Sequence, residues 1–218
     1  WYNWLMKIKK LGHCCLVIEV KGKRIMTDPG TYSTLQDEEK NIDIILFTHE
    51  HQDHFHIESL KKVLANNHNA KIITNTAVGK LLDAENIAYT ILEEGNSLTM
   101  HEVLIEGFGN IHEEIYKEFG RVENTGYFVD NKLFYPGDAF TDPKKPVDIL
   151  ALPVAGPWMK ISSAIEYALA LKPRVAFPVH DGMLMTNRLG PVHMMTGKFL
   201  PENNIEFVPM LEGDEHEF

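Results

Sequence analysis

Two stretches of the chain repeat the same succession of predicted strands and turns. Residues 16–30 (LVIEVKGKRIMTDPG) and 125–140 (TGYFVDNKLFYPGDAF) each read as a strand, a tight polar turn, a second strand and a turn of Gly, Pro and Asp. Residues 42–51 (IDIILFTHEH) and 147–156 (VDILALPVAG) then each place an Asp before a short apolar run, the pattern of a strand buried on both faces. A chain with this repetition is expected to fold as two similar halves.

Each half continues with an amphipathic helix and a further strand. The helices are indicated by apolar stripes, which consist of Ile57, Leu60, Val63 and Leu64 in the first half and of Ile161, Ala164, Ile165, Ala168 and Leu169 in the second. Because each sheet must bury its apolar faces against other layers, we expect two sheets packed face to face with the helices outside. The prediction is an α/β fold, a four-layer αββα sandwich of two similar halves that forms a single domain over residues 1–218.

The composition restricts the partners of the chain. Its formal net charge of −10 argues against a broad nucleic-acid-binding face, since such faces need clustered Lys and Arg. No apolar run approaches the length of a membrane span, so we expect a small-molecule substrate and no membrane contact. The only cysteines, Cys14 and Cys15, are adjacent and more typical of a strand than of a disulfide, which predicts a reducing, cytoplasmic setting.

The first half ends one of its buried strands in a cluster of titratable side chains. Within residues 42–54 (IDIILFTHEHQDH), the apolar run leads directly to His49, His51, Asp53 and His54. Imidazole nitrogen and carboxylate oxygen suit Zn²⁺, Mn²⁺ or Fe²⁺ better than Ca²⁺ or Mg²⁺. Four such residues from one loop do not fold easily around one ion. The spacing therefore favours two ions, with His49 and His51 on one side and Asp53 and His54 on the other.

Further ligands are expected from three other strand-to-loop transitions. The candidates are His112 in GNIHEE, Asp138 in YPGDAF and His180 in FPVHDG. Asp138 has two carboxylate oxygens and could bridge both ions. Side chains that follow the ends of strands can converge on one site, so the two halves are expected to share it.

The ordered set of Asp28, HEHQDH, His112, Asp138 and His180 resembles the metallo-β-lactamase superfamily over nearly the whole chain from Lys7 onward. The segments LGHCCLVIE, DPG, YPGD and LKPRVAFPVH are most similar to the metal-dependent hydrolases related to ascorbate-phosphate lactonases. This resemblance implies an αββα fold and a dinuclear site. It places His49, His51 and His112 at the first metal, Asp53, His54 and His180 at the second, and Asp138 between them.

The chain also departs from parts of that family. The commonest true β-lactamases have a cysteine where Asp138 stands, so antibiotic hydrolysis is not expected. Many relatives have an aromatic residue at the position of Asp181, directly after His180. The resemblance therefore does not predict which residues form the floor of the pocket. The chain also lacks an evident long inserted arm of the kind found in the tRNA-processing members of the family. This difference and the acidic composition of the chain both disfavour nuclease action.

The mechanism implied by this site is hydrolysis of an ester, a lactone or a phosphodiester. Two divalent ions, Zn²⁺ first and Mn²⁺ or Fe²⁺ as alternatives, would share a water that loses its proton near neutral pH. Asp53 would hold the second ion and could orient the hydroxide or shuttle its proton, which makes it the candidate catalytic residue. Asp28 is the candidate outer partner that fixes the tautomer of a ligating histidine.

Several alternatives stay open from the sequence. A non-hydrolytic metalloprotein, such as a di-iron redox unit or a metal-binding regulator, is the second functional hypothesis, although no Gly-rich nucleotide loop is present. His13 is interpreted as structural. An apolar substrate pocket or the core could contain Trp158, Met159, Met183 and Met185. Residues 112–124 could form a mobile flap over the metals or a solvated helix.

Overall fold

Two seven-stranded sheets face each other in this computed structural model, which describes residues 5–218. The first sheet contains β1 (Lys7–Gly12), β2 (Cys15–Val20), β3 (Lys23–Thr27), β4 (Ile44–Leu46), β5 (Lys71–Thr74), β6 (Thr90–Ile91) and the last strand of the chain, β14 (Glu215–Glu217). The second sheet contains β7 (Ser97–Met100), β8 (Val103–Phe108), β9 (Gly126–Val129), β10 (Leu133–Tyr135), β11 (Ile149–Pro153), β12 (Val175–Val179) and β13 (Glu206–Phe207). The helices are α1 (Ile57–Asn66), α2 (Thr76–Ala84), α3 (Ile161–Leu171) and α4 (Gly190–Phe199).

The two sheets have the same strand order, which confirms the two similar halves. The first runs β14-β1-β2-β3-β4-β5-β6 and the second runs β7-β8-β9-β10-β11-β12-β13. In the first sheet, neighbouring strands are antiparallel from β14 to β3 and parallel from β3 to β6. In the second sheet, they are antiparallel from β7 to β10 and parallel from β10 to β13. The edge strand β14 comes from the C-terminal part of the chain and pairs with β1, so it forms one edge of the first sheet.

Three apolar clusters separate the four layers. The cluster between the sheets combines residues such as Ile18 and Ile44 of the first sheet with Tyr127 and Ile149 of the second. A second cluster packs α1 and α2 on the outer face of the first sheet, and a third packs α3 on the outer face of the second. This arrangement confirms the predicted αββα sandwich. None of the helices within residues 5–218 is long and apolar enough to span a membrane.

A buried ion pair joins the first strand to the loop that follows β12. Lys10 on β1 is only 2% exposed, and its Nζ lies 2.7 Å and 2.8 Å from the two carboxylate oxygens of Asp181. The same ammonium donates to the carbonyl oxygens of Pro178 and Met210, so all its protons are directed to protein acceptors. His193 Nε2 lies 3.1 Å from Asp181 Oδ2, one of the two oxygens that Lys10 contacts. Asp181 therefore connects the two halves beneath the site, and its side chain does not line the cleft that contains the predicted ligands.

Substitution of Lys10 tests the contribution of this pair to stability. Lys10→Met leaves the Asp181 carboxylate buried without its cation, so we expect a loss of about 3–5 kcal/mol in the free energy of unfolding. Urea unfolding of metal-free protein at pH 7 measures this loss. Lys9→Met is the matched control on the same strand. The Lys9 side chain is 33% exposed and pairs with Glu39, and its loss should cost less than about 1 kcal/mol. Equal losses for the two variants would contradict the assignment.

Candidate metal centre

The histidine-rich loop after β4 packs directly against the turn that follows β3. Gly30 in that turn has no side chain, and a Cβ placed there would lie 1.9 Å from the carbonyl oxygen of Asp53. Thr31 N–H donates to the carbonyl oxygen of Gln52 over 2.9 Å. The DPG turn and the HEHQDH loop therefore form one closely packed unit, and glycine is required at their contact.

Asp28 is the buried centre of this unit. Its side chain is inaccessible to solvent, and its Oδ1 accepts a hydrogen bond from the backbone N–H of Thr48 over 2.8 Å. Its Oδ2 accepts from the Thr48 hydroxyl (2.7 Å) and the Tyr135 hydroxyl (2.5 Å) and lies 2.8 Å from His54 Nδ1. Burial, and next the Asp28 charge, hold the pKa of Tyr135 well above its ordinary value, so the phenol remains a donor. Asp28 thus fixes a proton on His54 Nδ1 and directs Nε2 away from itself.

Thr48 orients a second histidine through the same carboxylate. Its hydroxyl donates to Asp28 and can therefore accept from His49 Nδ1, which lies 3.0 Å away. His112 is held in a similar way, because its Nδ1 lies 2.6 Å from the backbone carbonyl oxygen of Glu113. In all three histidines the Nδ1 atom has a protein partner, so Nε2 is the ring nitrogen that faces the cluster.

Asp138 occupies the corresponding turn of the second half. The preceding Gly137 has a φ of +65°, and a Cβ there would lie 2.4 Å from the side-chain oxygen of Asn124. That oxygen accepts the backbone N–H of Asp138 over 3.0 Å, and Trp158 Nε1 donates to Asp138 Oδ2 over 3.0 Å. The carboxylate is only 2% exposed. Its position is thus fixed by Asn124, which was not assigned to the site from the sequence, and by Trp158, which was predicted only as a pocket or core residue.

The Asp138 carboxylate lies between histidines from both halves. Its Oδ2 is 2.7 Å from His180 Nε2 and 3.2 Å from His112 Nε2, and its Oδ1 is 3.1 Å from His54 Nε2. His49 Nε2 is 3.9 Å from Oδ2. The structure therefore brings the side chains of four distant segments together, as the strand-end argument predicted.

Most of the predicted ligands fall into two groups, and within each group the donor atoms lie within 4.8 Å of one another. One group contains His49, His51 and His112, and the other contains His13, Asp53, His54 and His180. Their nitrogen and oxygen donors are of the kind that Zn²⁺, Mn²⁺ and Fe²⁺ prefer. Cys14 forms a third group with His54 and Asp138, but it is buried among the apolar residues between the sheets, and burial raises the pKa of its thiol to about 12.

Several buried ligand atoms at this centre have no hydrogen-bond partner. In residues 5–218, seven buried side-chain nitrogen or oxygen atoms lack one, and five of these belong to the cluster: Nε2 of His49, Nε2 of His54, Oδ1 of Asp138 and both ring nitrogens of His180. A buried polar atom without a partner costs free energy, so such a concentration needs a compensating group. A cation bound by these atoms would supply it, and the residues present fit a metal site.

The electrostatics of the cluster favour positive charge at its centre. Burial and His54 hold the pKa of His49 well below its ordinary value, which leaves the ring neutral and its Nε2 lone pair free. Burial raises the pKa of Asp138, but His180 and His54 outweigh it and hold that pKa well below its ordinary value. Burial lowers the pKa of His54, but Asp138 and Cys14 outweigh it and raise that pKa well above its ordinary value. A proton on His54 thus takes the place that a metal ion would compete for.

His13 contacts the site, although sequence reasoning treated it as structural. Its Nδ1 accepts the backbone N–H of Gly182 over 3.1 Å, so a neutral ring carries its proton on Nε2. That Nε2 lies 3.3 Å from Asp53 Oδ2. Burial outweighs the Asp53 hydrogen bond and lowers the pKa of His13 to about 4, so the ring is neutral at pH 7. In the sequence, only the LGHC segment drew attention to His13. Its role could not be predicted from that segment, because its partner Asp53 is distant in sequence.

A cleft of about 520 Å³ opens above the cluster. Asp53, whose side chain is 21% exposed, faces this cleft together with His51, His112, Asp138 and His180. Trp158 and Met183 line it, whereas Met185 does not. Residues 109–125, which contribute His112, contain no helix, so the helical interpretation of residues 112–124 is wrong, whereas the mobile flap stays a prediction.

The chain is similar in sequence to proteins from bacteria and archaea. The family model of the beta-lactamase superfamily domain matches residues 7–180. Protein Rv0786c of Mycobacterium tuberculosis is 32% identical over 190 residues, which cover 85% of this chain and 88% of that protein. A UPF0173 metal-dependent hydrolase of Thermoplasma acidophilum is 27% identical over 190 residues, which cover 80% of this chain and 83% of the relative.

Solved structures share the fold at lower sequence identity. Igni18, a metallo hydrolase of Ignicoccus hospitalis, has a TM-score of 0.79 at 21% identity, with 98% of each chain covered. The diiron β-hydroxylase CmlA of Streptomyces venezuelae has a TM-score of 0.73 at 13% identity, with 99% of this chain and 54% of that protein covered. The family model spans most of the chain, and its fold and ordered His and Asp residues agree with that match. The chain belongs to the beta-lactamase superfamily.

Proposed function

We propose that the chain is a metal-dependent hydrolase that cleaves an ester, a lactone or a phosphodiester with two divalent ions, Zn²⁺ first and Mn²⁺ or Fe²⁺ as alternatives. The observation that carries this proposal is the set of unpartnered ligand atoms around Asp138. Supporting it, the relative from Thermoplasma acidophilum is named a metal-dependent hydrolase and the Ignicoccus protein a metallo hydrolase. A reducing, cytoplasmic setting stays a prediction; both cysteines are free and buried.

The ligand assignment follows the two groups of donor atoms. His49, His51 and His112 would hold one ion, Asp53, His54 and His180 would hold the other, and Asp138 would lie between them. When bound, two such ions polarise the accepting oxygen of the substrate and lower the pKa of a water molecule toward neutrality. The chain itself has to orient the ligand atoms and present Asp53 to the cleft.

Three polar residues provide this orientation in the proposal. Asp28 holds Nδ1 of His54, and Thr48 holds Nδ1 of His49, so both Nε2 atoms face the cluster. Trp158 donates to Asp138 from the cleft side and limits the carboxylate to one rotamer. Asp53 lies at the cleft surface, where its carboxylate would orient the reacting water. Burial raises the pKa of Asp53, but the hydrogen bond from His13 and the charge of His54 outweigh it and hold that pKa well below its ordinary value.

His13 is a positioning residue for Asp53 in this proposal and not a further ligand. The Gly182 N–H occupies its Nδ1 lone pair, and the remaining ring proton on Nε2 is directed to Asp53 Oδ2. A ligand would need a free lone pair at Nε2. His13 thereby holds Asp53 Oδ2, the oxygen that also lies 3.7 Å from His180 Nε2 and 4.0 Å from His54 Nε2, at the cluster.

Metal removal and reconstitution test the function. Protein stripped with a chelator should regain hydrolysis of ester, lactone or phosphodiester panels when two equivalents of Zn²⁺, Mn²⁺ or Fe²⁺ bind, as counted by elemental analysis. His51→Ala and Asp53→Ala should each lower kcat/KM by at least about 100-fold, because each removes a group that contacts an ion or the reacting atoms. The matched control is His56→Ala, since the His56 ring bonds to Ser59 outside the cluster and its loss should leave turnover unchanged.

Two other outcomes would overturn the proposed function. Failure of the folded protein to bind any transition metal removes its basis. A reversible visible absorption with iron, combined with no turnover on any panel, supports instead a non-hydrolytic metalloprotein such as a di-iron redox unit.

A pair of His13 variants separates a positioning role from metal ligation. His13→Gln keeps an N–H donor near the position of Nε2, whereas His13→Asn is too short to reach Asp53. We expect the Asn variant to bind the second ion about 10-fold more weakly and the Gln variant to remain close to wild type, measured by competition with a chromogenic chelator. If His13 is a ligand, both variants lose one bound ion, because an amide is a poor replacement for imidazole.

A further inference from the structure

The cleft above the cluster has an apolar rim. Apart from the cluster itself, most of its lining consists of large apolar side chains from four loops, namely Tyr32, Ile115, Phe119, Pro157, Trp158 and Met183. Several of them are open to solvent: Phe119 is 73% exposed, Tyr32 is 48% exposed and Met183 is 41% exposed. Exposed apolar groups that converge on a polar site are typical of ligand binding, since each gains free energy when it is covered.

The loop that carries Phe119 is held by its own contacts. Phe119 N–H donates to the carbonyl oxygen of Tyr116 over 3.0 Å. Gly120 has a φ of +73°, and a Cβ there would lie 2.6 Å from Cδ1 of Ile115. The loop therefore closes tightly on Ile115 and presents the Phe119 ring at the rim. Contacts that order the backbone of this loop lower the entropic cost of ligand binding at the Phe119 ring.

The charges of the cleft exclude a second anionic group on the substrate. None of the fourteen residues that line it within the described part of the chain is Lys or Arg. Its only acidic residues are Asp53 and Asp138, which belong to the proposed metal site. Two divalent ions can bind one reacting oxyanion, but a phosphate or carboxylate elsewhere on the substrate would meet no cationic side chain. The net charge of −10 would repel it further.

The geometry points to a neutral ester or lactone with an apolar alkyl or aryl group as the substrate class, bound with that group against Phe119, Tyr32 and Met183. This inference rests on the proposed function, because the scissile bond is placed at the metal cluster. It separates this chain from hydrolases of sugar phosphates, whose substrates carry a remote phosphate. The apolar group lies against the rim, and the carbonyl carbon lies beside Asp53 and Asp138.

A homologous series of 4-nitrophenyl alkanoates, from acetate to octanoate, tests the substrate class on the metal-loaded protein. We expect kcat/KM to rise about threefold per added methylene until the cleft is filled, as burial of each methylene contributes. A terminal carboxylate on an acyl chain of matched length should lower kcat/KM at least 10-fold. Phe119→Ala should flatten the dependence on chain length, whereas Phe119→Leu should retain most of it. Tyr116→Ala is the control, since Tyr116 is exposed on the same loop but does not line the cleft.

Binding of non-hydrolysable ligands distinguishes failure of this inference from failure of the proposed function. Alkyl trifluoromethyl ketones of increasing length are neutral probes whose dissociation constants can be measured calorimetrically. Affinity that rises with alkyl chain length and falls in Phe119→Ala supports the apolar substrate class. If this affinity is found but no ester is hydrolysed, the proposed hydrolase function is refuted and the apolar class is not. Hydrolysis that is independent of chain length and of Phe119, or that favours the carboxylated ester, overturns the apolar class and leaves the hydrolase standing.

Discussion

The buried carboxylate of Asp28 is the contact on which the rest of the site depends. A charge with no access to solvent is tolerated only when its oxygens are hydrogen-bonded, and Asp28 is surrounded by donors from two segments. Thr48 and His54 come from the histidine-rich loop, and Tyr135 comes from β10 of the opposite sheet. The same interaction that satisfies the charge therefore fixes a ligand histidine and joins the two halves. The cost of burying Asp28 explains why these partners cannot be exchanged independently.

The duplicated turns have diverged in a way that assigns each half a different task. Asp28 follows β3, and Asp138 follows β10 at the equivalent place of the second sheet. Protein donors or rings contact both oxygens of Asp28, whereas Oδ1 of Asp138 has no hydrogen-bond partner. One turn thus organises the ligands, and the other supplies an oxygen for a cation. Because the halves face each other, the organising carboxylate of the first half and the binding carboxylate of the second lie on opposite sides of His54.

Local sequence patterns predicted those secondary-structure elements and site residues that depend on neighbours in sequence. The hairpins, α1 and α3 follow from alternation and helical stripes, and the cluster around His49 follows from strand-end chemistry. The paired edge strand β14 and the helices α2 and α4 were not predicted, because β14 is defined by its pairing with β1 and α4 has a weak apolar stripe. At the site, Thr48, Asn124 and the link from His13 to Asp53 were missed for the same reason. Each acts through a contact that sequence spacing does not reveal.

Backbone strain at the centre shows how these long-range contacts are used. His13, Asp28 and His180 have φ values of +43°, +37° and +60°, a region that costs a residue with a side chain about 1 kcal/mol or more. His180 N–H donates to the carbonyl oxygen of His13, so two strained residues from opposite halves stabilise each other. Such conformations persist only where the surroundings determine them. The hydrogen bonds that determine them here are made within the chain, between the carbonyl oxygen of His13 and the N–H of His180 and between the Asp28 carboxylate and His54. Contacts between the two halves therefore fix the direction in which the ligand histidines point.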